Sequence, residues 1–401
     1  MAPQPDYRKT LLACYLGFVT QAISANFAPL LFLTFKNTYG IPLEQIAMIP
    51  LVFFMTQILI DFAATKFADR IGYRKCVIAS QATSAAGLAL LAVLPGLLPD
   101  PFVGILISVV LYAVGSGLIE VLISPIVEAC PFENKEGMMS LLHSFYCWGS
   151  VGVVLGSTLF FAVFGLENWK ILALIWALVP LYNTFNFISC PIERLVEDGE
   201  GMSMGQLLRM PLFWLMAVLM MCSGASEISM FQWASAFTES ALGVTKAVGD
   251  LAGPCLFGVL MGIARVYYGR MSEKLDLTRT MLGSGALCLF CYLLASLSSS
   301  PVLGLIGCAL CGLSVGIMWP GTLSISAQKC PKGGTVMFAL LALAGDLGGS
   351  VGPSLVGGIS GMAGGNLKYG LFFGALFPAL LIIGLMMLKK KVRTAPGREV
   401  R

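Results

Sequence analysis

Long apolar runs, each close to the length that crosses a bilayer, fill this chain from end to end. A membrane-spanning helix needs about 20 mostly apolar residues. Measured against that length, about twelve spans are read near 10–35, 45–68, 75–97, 102–129, 137–164, 168–190, 211–238, 246–271, 278–298, 302–328, 334–361 and 368–388. The cuts fall on turn formers: Gly40-Ile41-Pro42, Pro99-Asp100-Pro101, Cys130-Pro131, Pro301 and Cys330-Pro331. Only 11% of the residues are charged and 57% are hydrophobic, against about 25% charged in a soluble domain. In hydrocarbon every backbone polar group has to be bonded internally, which leaves helical bundles and closed β-barrels. A barrel would show segments of roughly ten residues with alternating polarity. The continuous runs exclude that, and the expected fold is an all-α polytopic membrane protein.

Charge placement gives the topology. An even number of spans puts both termini on one side. The loops on that side hold Arg8, Lys9, Lys66, Arg70, Arg74, Lys75, Lys135, Arg194, Arg209, Arg270, Lys274, Arg279, Lys329, Lys332 and the run Lys389 to Arg393. The opposite face holds only Lys36, Lys170, Lys246 and Lys368. Lys and Arg concentrate on cytoplasmic loops, so both termini are expected in the cytoplasm and the protein in the cell (inner) membrane. The polar stretch 191–209 reads as a cytoplasmic linker between an N-terminal six-helix half, 1–190, and a C-terminal half, 210–391, with a cytoplasmic tail at 392–401. A cleaved leader is not expected, because Met1 to Thr10 is polar and the first apolar run is too long.

The halves repeat. Gly149-Ser-Val-Gly152 returns as Gly349-Ser-Val-Gly352, and Cys130-Pro131 as Cys330-Pro331, both shifted by 200 residues. Thr65-x-x-x-Asp69-Arg70-x-Gly72 has an echo in Gly269-x-x-x-Glu273-Lys274-x-Asp276. Duplicated halves are a mark of secondary transporters, which bind solute near the bilayer midplane.

Enzyme chemistry finds no support. The sequence has no nucleophile–base set, P-loop or dinucleotide fingerprint. Twelve cysteines are scattered through it, mostly in apolar runs, and read as small buried hydrophobes. The Cys308-x-x-Cys311 spacing lies in an apolar helix and is not read as a zinc site. No metal and no organic cofactor is expected; the coupling ion is a proton, with sodium as an alternative. A non-transporting sensor or scaffold would call for a sizeable soluble domain. The expected partners are a small solute and the lipid bilayer, with no nucleic acid, and the expected state is a monomer.

The stretch Asp69-Arg70-Ile-Gly72-Tyr-Arg74-Lys75 resembles the signature loop of the major facilitator superfamily, with Thr65 where that pattern usually has Gly. Length, span count, central linker and echo loop fit the same resemblance. It implies two six-helix halves working by alternating access, with Asp69, Arg70, Gly72, Arg74 and Glu273 in gating positions. Charges there sit where helix ends meet and can pair with helix termini. Within the superfamily, Gly115-Ser-Gly117-Leu-Ile-Glu120 with Pro125, His143-Ser-Phe-Tyr146 and Gly224-Ala-Ser-Glu227 with Trp233 are similar to motifs of the fucose permease group. That resemblance implies proton coupling through Glu120. The first span departs from it: it has no acid, and Gln21, Ser24 and Asn26 are its polar candidates.

Ionisable groups at mid-bilayer cost about 2.5–3.5 kcal/mol each on insertion scales, so the few present are informative. They are Asp61, Glu120, His143, Glu227, Arg265 and Asp346. Glu120 lies roughly 27 Å along the fourth span. A carboxyl that alternates between apolar and cationic surroundings can load and release a proton. His143 and Asp346 are the further candidates for that proton. Glu227, Gln232 and Trp233 combine an acid, an amide and an indole within two turns, which suits hydroxyls and the apolar face of a sugar. Gln21, Asn26, Glu120, Trp148 and Trp319 complete the candidate solute set. Asp61 and Arg265 are read as gating groups, with Asp346 or His143 as partners. Ser223 and Gly224 are expected to loosen the seventh span. Trp214 is expected in an interfacial aromatic belt. The expected function is proton-coupled uptake of a small neutral polar solute, a sugar. Sodium coupling and drug or amphipath efflux are the alternatives. Span five reads Gly149 to Gly156 without the Gly-Pro of many antiporters, which argues against export, whereas Gly352-Pro353 leaves it open.

Overall fold

The computed structural model describes residues 6–46, 48–193, 201–242, 251–364 and 366–393. Arg194, Glu197, Asp198, Glu200, Lys246, the side chain of Asp69 and the tail from residue 394 onward lie outside that description. Every regular element among the described residues is helical. The main helices are α1 (Tyr7–Leu30), α2 (Met48–Ile71), α3 (Tyr73–Leu97), α4 (Pro101–Ala129), α5 (Lys135–Phe164), α6 (Trp169–Ser189), α7 (Pro211–Leu242), α8 (Leu256–Met271), α9 (Leu277–Leu297), α10 (Pro301–Val315), α11 (Met318–Lys329), α12 (Gly334–Met362), α13 (Leu367–Gly374) and α14 (Leu376–Arg393). Eleven stretches among the described residues are long and apolar enough to span a bilayer. The eighth expected span appears as a π-turn, Leu251–Cys255, running into α8.

Three expected spans are interrupted. The first stops at Leu31, just after Pro29, and continues as a short helix, Phe32–Tyr39. The tenth and twelfth break into α10/α11 and α13/α14. In both, a proline lies four residues after a carbonyl at the break: Pro320 after Gly316 and Pro378 after Gly374. Proline has no N–H to return to residue i−4, and its ring crowds that carbonyl. The helix starts follow capping chemistry. Asp100 accepts from the Phe102 N–H at 2.9 Å with Pro101 in the first turn of α4, and Asp276 accepts from the Arg279 N–H at 2.7 Å at the start of α9.

The helices form two compact units: Met1–Glu133 with Phe145–Met202 and Lys332–Leu340, and Asn134–Ser144 with Ser203–Pro331 and Leu341–Arg401. The first unit has an apolar core of Ile23, Phe27, Phe35, Leu88, Tyr112 and Trp169, in which Phe35 meets Trp169 edge-on at 5.6 Å. Gly72, at φ +94°, turns α2 into α3, a conformation L-residues avoid. Arg74 then places its guanidinium on the Phe187 and Ile188 carbonyls, at 3.0 and 2.9 Å, and so caps the C-terminus of α6. In the second unit, α7 meets α12 backbone to backbone: a Cβ on Gly224 would overlap the Gly345 carbonyl oxygen. Such contact is the usual consequence of small residues on neighbouring membrane helices. Contrary to expectation, α7 runs unbroken through Ser223 and Gly224. Gly224 admits a neighbour there and does not loosen the helix.

Candidate functional site

Glu120 projects from α4 in the first unit and is half-buried. Its position follows from the two glycines that precede it. A Cβ on Gly115 would overlap Ser84 and the Ser80 carbonyl of α3, and one on Gly117 would crowd Ile60 and the Gln57 carbonyl of α2. With α2 and α3 so close, Gln57 of α2 reaches the carboxylate. Glu120 Oε2 accepts from Gln57 Nε2 at 2.5 Å and from Gln21 Nε2 of α1 at 2.7 Å. The Ser116 hydroxyl donates to Gln57 Oε1 at 3.1 Å, which orients the amide with its N–H groups toward Glu120. Asn26, half-buried on α1, donates to the Ser150 hydroxyl of α5 at 3.1 Å and to the Ala22 carbonyl at 2.8 Å. Of the sequence-nominated residues, Gln21 and Glu120 are thus brought together. Gln57 and Ser116 were missed, because nothing in an apolar run shows which polar residues share a face with a distant acid.

In the second unit the central pair is Glu227 on α7 and Arg265 on α8. Arg265 Nη2 lies 3.1 Å from Glu227 Oε2, with only 3% of its side chain exposed and 11% of the glutamate's. Arg265 Nε donates to the Gly316 carbonyl at 2.8 Å and Nη1 to the His143 carbonyl at 3.0 Å. The sequence left the partner of Arg265 open between Asp346 and His143. The structure sets Glu227 against it, an acid not among those two, and brings Nη1 to the backbone carbonyl of His143. Ser140 adds a bond from its hydroxyl to the Arg265 carbonyl at 2.8 Å.

The other nominated residues disperse. Asp61 is fully buried on α2, His143 is buried on α5, and Asp346 is half-buried on α12. Trp148 on α5 is 38% exposed. Gln232 is exposed and Trp233 half-buried, its indole N–H donating to the Pro353 carbonyl at 3.0 Å and its ring lying against Gly357. Trp319, in the first turn of α11, covers Gly345: a Cβ there would overlap the indole ring. Trp214 is 54% exposed and donates to the Leu208 carbonyl at 2.8 Å. Arg70 is exposed at the end of α2, and Glu273 accepts from the Asn134 amide at 3.5 Å. Glu136 at the start of α5 was not nominated; it accepts from the Tyr268 hydroxyl at 2.9 Å and from Gln328 Nε2 at 2.5 Å. Cys288 on α9 lies 3.8 Å, sulfur to sulfur, from Cys311 on α10. Among the described residues no group of three or more His, Cys, Asp or Glu side chains is arranged to hold a metal ion.

The family profile of the Major Facilitator Superfamily matches residues 13–353 and 256–399. No curated protein matches the chain by sequence. Solved structures do match in fold. The chain is similar to the E. coli fucose:proton symporter FucP, with a TM-score of 0.79 at 16% identity over 95% of this chain and 98% of that one. It is similar to the proton:xylose symporter XylE bound to 6-bromo-6-deoxy-D-glucose, with a TM-score of 0.80 at 11% identity over 96% and 95%. The human organic anion transporter MFSD10 (TETRAN) gives a TM-score of 0.73 at 16% identity over 95% and 100%. At these identities the likeness speaks for the fold alone.

Proposed function

The chain belongs to the major facilitator superfamily, a family of polytopic membrane transporters, and from that premise we propose that it carries a small neutral polar solute, a sugar, inward together with protons. The observation that carries this reading is the setting of Glu120, an acid within a membrane-spanning helix whose Oε2 is hydrogen-bonded by two neutral carboxamides. Amide donors hold a carboxylate without cancelling its charge. An amide can also turn its oxygen toward a carboxylic acid, so both protonation states find partners. A proton can therefore be gained and lost there without leaving a polar group stranded.

Neutral cargo is supported by the second unit. The charge of Arg265 is matched by Glu227, and its Nε and Nη1 are held by backbone carbonyls. An organic anion would have to compete with Glu227 for that guanidinium, whereas sugar hydroxyls can add bonds to the pair. The halves 1–190 and 210–391 would alternate access, with the termini cytoplasmic and Gln21, Asn26, Glu227 and Trp319 among the solute contacts.

The test is solute-driven proton entry in proteoliposomes loaded with a pH dye and presented with a panel of hexoses, pentoses and deoxysugars. A sugar that acidifies wild-type vesicles and leaves those of Glu120→Gln unchanged supports the reading. Proton movement driven by an amphipathic cation or an organic anion, with all sugars silent, sinks it.

A further inference from the structure

Pro320 leaves the Gly316 carbonyl without the N–H that a continuous tenth span would give it. The regular ladder ends at Val315 and resumes at Met318. Into the gap comes Arg265 Nε, 2.8 Å from the Gly316 oxygen. The same guanidinium holds Glu227 Oε2 through Nη2 and the His143 carbonyl through Nη1. A guanidinium is planar and its N–H groups form a rigid fork. When the group turns about its Cδ–Nε bond, Nη1 and Nη2 swing and the in-plane Nε–H turns with them, so the three bonds are lost or kept together. Arg265 is buried, so water does not take over a contact it gives up. Titratable side chains that meet at Arg265 on α8 include Glu227 on α7 and His143 on α5.

We infer that Arg265 is a positioning residue that couples the charge on Glu227 to the break in the tenth span. While Glu227 is an anion, it anchors the fork and Nε closes the gap left by Pro320. When the carboxylate is neutralised, or drawn off by solute hydroxyls, the fork loses its ionic contact with Glu227, the guanidinium turns, and its Nε–H leaves the Gly316 carbonyl. The break then opens, and Trp319, two residues beyond Ile317 and seated on Gly345, moves with it. Engagement at Glu227 is thereby passed to an aromatic on a neighbouring helix. The link to transport rests on the reading that Glu227 and Trp319 contact solute; the mechanical coupling does not.

Hydrogen–deuterium exchange on the full-length protein in lipid nanodiscs tests it without any solute. In Glu227→Gln, amides 316–319 exchange at least five-fold faster than in wild type, while α9 and the rest of α10 keep their protection. Pro320→Ala restores an N–H to Gly316, so Glu227→Gln/Pro320→Ala stays as protected as Pro320→Ala alone. Arg265→Lys keeps the charge and loses the fork, and it opens the same amides even if Glu227→Gln is poorly folded. Wild-type exchange at 316–319 in folded Glu227→Gln or Arg265→Lys overturns the coupling, as does opening that Pro320→Ala leaves in place. If the amides open as described while no sugar drives proton entry, the coupling stands and only the sugar reading falls.

Discussion

Glu120 and Glu227 look alike in the sequence. Each lies some 17 or 18 residues into an apolar span and follows a glycine within five residues. In the structure their surroundings diverge. Glu120, in the first unit, is met by two carboxamides, one of them oriented by Ser116. Glu227, in the second, is met by a guanidinium that also holds two backbone carbonyls. The difference teaches what each acid is suited to. Beside a carboxamide, removing or adding a proton changes which atom donates. Doing so in a buried ion pair leaves a buried charge without its counter-ion, which costs several kcal/mol. The first arrangement suits a group that titrates in every cycle. The second suits one that holds a shape until something pulls on it.

The contrast can be broken most forcefully at Arg265. Arg265→Ala strands Glu227 and the Gly316 carbonyl together, and a loss of about 3–5 kcal/mol in tertiary stability is expected, read as the unfolding midpoint of the purified protein in detergent. Glu120→Gln, by comparison, keeps an acceptor oxygen for its amide neighbours and should unfold within about 1 kcal/mol of wild type. A similar large loss in both would erase the distinction. Next in size is packing around the acids. Gly224→Leu forces a side chain into the Gly345 backbone, and Gly115→Leu forces one into Ser80 and Ser84. Overpacking of this kind costs about 1–3 kcal/mol or more, and either variant should unfold earlier than Gly358→Leu, where a Cβ meets nothing within 4 Å.

Gln57→Leu sharpens the comparison from the other side. It takes one donor from Glu120 and leaves Ser116 without its acceptor, for about 1–3 kcal/mol. Gln57→Glu adds a second acid beside the first and should disturb solute-driven proton entry more than Gln57→Leu does. The smallest effect belongs to Trp233→Phe, which keeps the ring against Gly357 and removes the bond to Pro353. A loss of about 0.5–1.5 kcal/mol is expected in the same unfolding assay. If its transport falls as far as that of Glu120→Gln, the indole N–H has a part in solute handling beyond tying α7 to α12.

Much of the molecule is legible in the sequence. Apolar length, the loop charges, the 200-residue repeat and the signature loop lead to a polytopic helical transporter with Glu120, Glu227 and Arg265 set apart. The breaks in the tenth and twelfth spans are also written there, as prolines four residues after Gly316 and Gly374, although continuous spans were expected. Hydropathy averages over a window and is blind to a single missing N–H. The loosening expected at Ser223 and Gly224 failed for the converse reason. Glycine permits a bend, but here α12 fills the space it leaves and the helix runs on unbroken.

Residue order alone settles the solvent, the approximate number of crossings and the short list of charges costly enough to matter. These follow from free energies of transfer and from local backbone chemistry, which depend on residue type and on neighbours a few positions away. Partnership came from the packed helices: Gln21 and Gln57 for Glu120, Glu227 for Arg265, and Arg265 for the carbonyl that Pro320 abandons. Those bonds join residues 38 to 99 positions apart. They depend on which face of one helix meets which face of another, and in a nearly uniform apolar sequence it is packing, with its few glycines as contact points, that sets the rotation of each helix.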